Sequence, residues 1–136
     1  DYIAGVATGA IPHAMMVADK LKYPFIYVRG EAKNHGRKNL IEGNLNSPSS
    51  VLVIEDLIST GGSSIKAMET IQNHGSKVIE LISIFTYEFF DLKLIDIPCF
   101  SLCNYTTLIN IATKEKIINK NDAEILSRWQ LENKLT

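Results

Sequence analysis

Short apolar runs alternate along this chain with segments whose apolar residues recur at helical spacing. Tyr2–Ala4, Phe25–Val28, Val51–Ile54, Lys77–Phe85 and Pro98–Leu102 are the runs. Runs without polar alternation read as strands buried on both faces, as in a parallel sheet. Between them, Ala14, Val17, Ala18 and Leu21 share one helical face, and Ile65, Met68 and Ile71 share another. Pro12 suits a first helical turn, and Gly75 is a stop signal for the second helix. Further helices are expected over Thr106–Ala112 and Asn121–Trp129, the latter capped by Asn121 or Asp122. Tyr87–Ile97 reads as a short helix packed on the sheet, and Trp129 as a packing anchor. Strand–helix alternation of this kind predicts an α/β fold, a mainly parallel sheet flanked by helices. At 136 residues, with no repeat or linker, the chain is expected to form one domain spanning 1–136.

The chemistry gathers where runs break. Val51–Ile54 runs straight into Glu55 and Asp56, then gives way to Ser59-Thr60-Gly61-Gly62-Ser63-Ser64 ahead of a helix. A helix start leaves backbone N–H groups without intrahelical partners, and its dipole favours negative charge. Gly61 and Gly62 let the backbone approach an anion, and the hydroxyls add donors. Phosphate fits this loop. Carboxylates would repel phosphate, so Glu55 and Asp56 must serve another part of the ligand: ribose hydroxyls, or a Mg²⁺ chelated by them. A sugar phosphate is the expected guest. Gly5-Val6-Ala7-Thr8-Gly9-Ala10 is a second small-residue loop after a strand, and such loops at carboxyl ends of parallel strands are where these sheets bind ligands. His13 reads as a helix-surface residue.

Arg29–Gly43 has little apolar periodicity yet carries Arg29, Lys33, His35, Arg37 and Lys38. Taken alone it fits either a solvated basic connection or a cationic flap that closes over a polyanion and excludes water.

IEDLISTGGSS resembles the phosphoribosyl-pyrophosphate (PRPP) signature of type I phosphoribosyltransferases, in its orotate phosphoribosyltransferase version. GVATGAIPHA is similar to that family's pyrophosphate loop. RGEAKNHGRKNLIEG resembles its flexible catalytic loop, with Arg-x-x-x-Lys-x-His-Gly followed by Asn-x-Ile-Glu-Gly. Gly30 departs from members with a second lysine after the arginine. The resemblance covers Tyr2 to about Trp129 and lacks the family's N-terminal part, which helps cap the orotate pocket. It implies a type I phosphoribosyltransferase-like domain that is N-terminally incomplete, an expectation matched by a chain opening on Asp1-Tyr2-Ile3.

The implied reaction joins orotate and PRPP to give orotidine 5′-monophosphate and pyrophosphate, with Mg²⁺ as cofactor. Lys33, Asp56 and Glu55 take the catalytic positions. PRPP contacts fall on Arg29, Lys33, His35, Glu55, Asp56, Leu57, Ile58, Ser59, Thr60, Gly61, Gly62 and Ser63, and Ser59 also touches orotate. No direct protein metal site is implied; Mg²⁺ comes with PRPP, with Glu55 and Asp56 as candidate partners. A homodimer is implied too, loop 29–43 reaching the neighbouring subunit. Two alternatives stay open: a phosphoribosyltransferase for another base, and a non-catalytic PRPP-binding regulator.

Composition narrows the setting. The chain is 46% hydrophobic and 21% charged with a net charge of −1. No basic surface advertises nucleic acid or membrane. No apolar run is long enough to span a bilayer, and no signal-peptide pattern appears. Cys99 and Cys103 lack histidines at ligand spacing and read as buried free thiols, which fits a cytoplasmic protein.

Overall fold

The computed structural model describes residues 1–30 and 39–134. Its elements are β1 (Tyr2–Val6), α1 (Ala10–Leu21), β2 (Phe25–Val28), β3 (Ile41–Glu42), β4 (Ser50–Ile58) and α2 (Gly62–Asn73). They continue with β5 (Lys77–Thr86), a 3₁₀ turn (Leu92–Leu94), β6 (Cys99–Asn104), α3 (Tyr105–Lys114) and α4 (Lys120–Glu132). The six strands form one sheet in the order β3-β2-β1-β4-β5-β6. All neighbours pair parallel except β2 and β3, which pair antiparallel. The expected mainly parallel sheet flanked by helices is what forms.

Strand periodicity divides the core between the two faces. Tyr2, Ala4 and Val6 of β1 and Val51 and Val53 of β4 pack with Ala67, Met68 and Ile71 of α2. The intervening Ile3 and Ile54 pack with Ala14 and Ala18 of α1. Each fully buried Ile or Val contributes about 1.5–3 kcal/mol, so these faces supply most of the driving force. Helix α1 sits unusually close. Ala10, Ala14 and Ala18 present only methyl groups to the sheet, and a Cβ on Gly5 would lie 3.0 Å from the Ala14 Cβ and 3.1 Å from the Ala10 carbonyl oxygen.

Connectivity then decides where a ligand can sit. From β1 the chain crosses by α1 to β2 on one side, while from β4 it crosses by α2 to β5 on the other. The loops after β1 and β4 diverge, leaving a crevice beyond the carboxyl ends of two adjacent parallel strands.

Several boundaries differ from expectation. Strand β4 continues through Glu55 and Asp56 to Ile58, so both acids lie within the strand. The polar stretch after β2 contains β3, a two-residue edge pairing too short to leave a periodic signal. In Tyr87–Ile97 only Leu92–Leu94 winds, started by the Asp91 side chain accepting from the Lys93 N–H at 3.0 Å. A single turn fixes several dihedrals for one hydrogen bond and does not propagate here, although Leu92, Ile95 and Ile97 do pack on the core. Helix α4 is capped by Asn119 rather than Asn121 or Asp122. Asn119 Oδ1 accepts from the Asp122 N–H at 2.9 Å, and Asp122 Oδ2 accepts from the Asn119 N–H at 3.3 Å, a reciprocal capping box.

Trp129 does act as an anchor. Its ring lies 5.9, 5.2 and 5.5 Å, centroid to centroid, from Tyr87, Phe89 and Tyr105. Beside it the Glu88 carboxylate accepts from the Thr106 N–H at 2.9 Å and from Gln130 Nε2 at 3.0 Å, tying α3 and α4 to the end of β5. Cys99 and Cys103 are free thiols, half-buried rather than buried. Among the described residues no helix is long and apolar enough to cross a membrane.

Candidate active site

Strand β4 delivers the two acids to the crevice on different faces, because successive strand residues point oppositely. Asp56 turns toward the β1–α1 loop, where a Cβ on Gly9 would lie 2.0 Å from Asp56 Oδ2. Only glycine permits that approach. The Asp56 carboxylate therefore lies against the backbone at the start of α1.

Glu55 turns the other way, beneath α2, and is 4% exposed. One of its carboxyl oxygens accepts from the Ser64 hydroxyl at 2.9 Å, the other from the Asp56 N–H at 3.2 Å. Burial, reinforced by the neighbouring Asp56 side chain, pushes its carboxyl up to about 8 against the opposing pull of the Ser64 hydroxyl. Glu55 thus keeps its proton well above the pH at which an ordinary glutamate ionises. Of the two acids expected to serve the ligand, Asp56 faces the crevice, and Glu55 is buried and hydrogen-bonded behind it.

The phosphate-type loop follows. Ser59 is half-buried and Thr60 exposed. Gly61 adopts φ +79° as the N-cap of α2, and no side chain caps that helix. The left-handed angle needs glycine, and so does the neighbourhood, since a Cβ there would meet the Phe90 ring at 3.0 Å. Gly62 opens onto free space, the nearest atom to a Cβ being Thr60 Oγ1 at 3.9 Å. With Ser63 exposed beside it, the first turn of α2 offers N–H groups and hydroxyls to an incoming anion.

Other expected site residues scatter. Arg29 leaves the end of β2 at the same edge of the sheet, and its Nη1 lies 3.4 Å from Glu42 Oε1. Leu57 is 42% exposed, whereas Ile58 is 1% exposed and belongs to the core. Its carbonyl accepts from the Tyr87 N–H at 3.0 Å, and its side chain belongs to the core rather than to the crevice. Lys33 and His35 lie outside the described residues. His13 is on the exposed face of α1, as expected.

Sequence reasoning missed Ser64, Phe90 and the particular role of Gly9; the doubled serine after the doubled glycine was the one available signal. Among the described residues no group of three or more His, Cys, Asp or Glu could hold a metal ion. A cleft of about 700 Å³ between α3 and α4, lined by Ile109, Thr113, Arg128 and Leu131, shares no residue with the crevice.

Comparison with known proteins agrees with this geometry. Residues 1–88 match the family model of the phosphoribosyl transferase domain. A curated relative, the orotate phosphoribosyltransferase of Phocaeicola vulgatus, is 47% identical over 134 residues, covering 96% of this chain. The match spans 63% of that relative's length. The crystal structure of orotate phosphoribosyltransferase from Aeropyrum pernix is 29% identical with a TM-score of 0.74, over 87% of this chain and 66% of that one. The Leishmania donovani UMP synthase structure shares the fold, with a TM-score of 0.80 at 24% identity over 97% of this chain and 29% of that one. Signature, sheet order and family model coincide over the same strands and loops, and the chain belongs to the phosphoribosyl transferase family.

Proposed function

We propose that this chain carries the PRPP half of an orotate phosphoribosyltransferase, which transfers phosphoribosyl from PRPP to orotate. The observation that carries the reading is Asp56 set against Gly9 between two small-residue loops, at the divergence of β1 and β4. Support for orotate as the base comes from the 47% identical relative of that name.

On this reading Thr60–Ser63 hold the 5′-phosphate, and the β1–α1 loop takes the diphosphate. Nitrogen of orotate forms a bond to C1′ as the C1′–oxygen bond to pyrophosphate breaks; the bonding pair leaves with the diphosphate, which also takes up the proton displaced from the nitrogen. C1′ becomes oxocarbenium-like, and the fixed charge of Asp56 stabilises it. Lys33, Arg29 and His35 supply cationic donors to the departing diphosphate. Ser59 touches the base.

The donor set fits Mg²⁺ as a companion of PRPP: one carboxylate at the crevice, with substrate oxygens to complete the shell. When bound it offsets charge on the diphosphate. The further parts of the reading are a homodimer, in which loop 29–43 serves the neighbouring subunit, and a cytoplasmic setting.

Isothermal titration tests the core of it. The chain should take up PRPP in the presence of Mg²⁺, and the complete protein should then bind orotate in preference to adenine. A folded chain that gives no heat with PRPP refutes the proposal; PRPP binding with a preference for adenine refutes the choice of base.

A further inference from the structure

Ser64 stands third in α2 and is 2% exposed. Its hydroxyl donates to Glu55 Oε2 at 2.9 Å, while Glu55 Oε1 accepts from the Asp56 N–H at 3.2 Å. A single buried carboxyl thus spans from the first turn of α2 to the peptide that aims Asp56. The Ile65 N–H also donates to the Gly61 carbonyl and Gly61 packs against the Phe90 ring, but neither contact reaches Asp56. No side chain caps α2, and the loop before it passes through Gly61 at φ +79° and Gly62 with open space around it. Two adjacent glycines give the backbone wide freedom, so the relation between the phosphate-type loop and Asp56 needs an anchor inside the fold.

We propose that Ser64 is a positioning residue for the sugar-phosphate site: its hydroxyl locks the Glu55 carboxyl as a buried strut that fixes the distance from the loop 59–63 to Asp56. The inference rests on the reading of the crevice as a PRPP site. PRPP spans both ends of the strut, with its 5′-phosphate in the loop and its ribose at Asp56. Loosening the strut therefore weakens PRPP specifically. Orotate, which does not bridge the two ends, is left largely unaffected.

The test uses the complete protein, assayed with PRPP–Mg²⁺ and orotate. Wild-type turnover comes first, and its absence would condemn the functional reading rather than the strut. Ser64→Ala removes a buried hydrogen bond to an acid and should raise KM for PRPP about tenfold. KM for orotate should stay within about twofold. Ser64→Cys keeps the packing but donates weakly, and should reproduce the KM rise at nearly wild-type melting temperature even if the alanine variant folds poorly. Ser64→Thr restores the hydroxyl and should recover most of the affinity. In a Glu55→Ala background, Ser64→Ala should add less than about twofold, since its partner is already gone. An unchanged PRPP KM in Ser64→Cys, an equal rise in both KM values, or full additivity with Glu55→Ala would overturn the proposal.

Discussion

Replacing Glu55 by Gln should stabilise the fold at alkaline pH and change little in acid. The native carboxyl titrates near 8 instead of its ordinary 4.5, chiefly because it is buried. Between those values the native state holds a proton that the unfolded chain has released, so stability falls as pH rises through the window. Below pH 4.5 both states are protonated and the residue costs nothing. Above 8 both are ionised, and the full cost of a buried carboxylate is felt. A displacement from 4.5 to about 8 corresponds to about 5 kcal/mol as a ceiling. The Ser64 and Asp56 donors remain, and relaxation and water entry lower the cost, so about 2 kcal/mol is the realistic expectation.

Glutamine keeps the shape while removing the titration, its oxygen accepting from the Asp56 N–H and its NH₂ donating to the Ser64 hydroxyl oxygen. Calorimetric melting of both proteins from pH 4 to 9.5, without ligand, is the assay. The two should melt together near pH 4, and the variant should melt about 5 °C or more higher at pH 9. Other titrating groups cancel in the comparison. Parallel melting curves across the whole range would show that Glu55 ionises normally and would remove the buried-acid account.

Gly9→Ala should displace Asp56, because its Cβ would lie 2.0 Å from Oδ2; a misplacement near 1 Å costs on the order of a hundredfold in rate, so turnover of the complete protein within threefold of wild type would take this contact out of the site. Gly61→Ala should lose about 1–2 kcal/mol in urea unfolding from its left-handed backbone and the Phe90 ring, and adding Phe90→Ala should not recover the loss already caused by φ +79°. Complete recovery in the double variant would assign the whole cost to the ring. For the dimer, homodimers of Lys33→Ala and of Asp56→Asn should each be nearly inactive. Subunit exchange between them should restore roughly a quarter of wild-type activity, one good site in every second dimer; no recovery, with exchange confirmed by mass spectrometry, refutes a site shared between subunits.

The sheet, both crossover units and the two loops at the crevice were legible in the sequence because each rests on local periodicity. Phe25–Val28 was recovered residue for residue. What was not legible depended on reach. A strand ending at Ile54 assigns Glu55 and Asp56 to no face; once β4 runs to Ile58, period two sends them apart. The Asn119 cap was in principle readable, since Asn119 and Asp122 stand at capping-box spacing, but Asn-Lys-Asn-Asp offers competing caps and only the geometry chooses. The Gly9–Asp56 and Gly61–Phe90 approaches join residues distant in sequence, and one chain carries no signal for such pairs.

Helix α1 makes its sheet-facing stripe from Ala10, Ala14 and Ala18, none more than 2% exposed. With Gly5 beneath, that seam has no slack for even one extra methyl group. A larger side chain at Ala14 would act as a wedge, and the helix, being stiff, would tilt as a lever instead of bending. Its amino end carries Gly9, and Gly9 touches Asp56. Volume added a full turn from the crevice would thus be delivered to the acid, and a harmless-looking core exchange would register as lost chemistry.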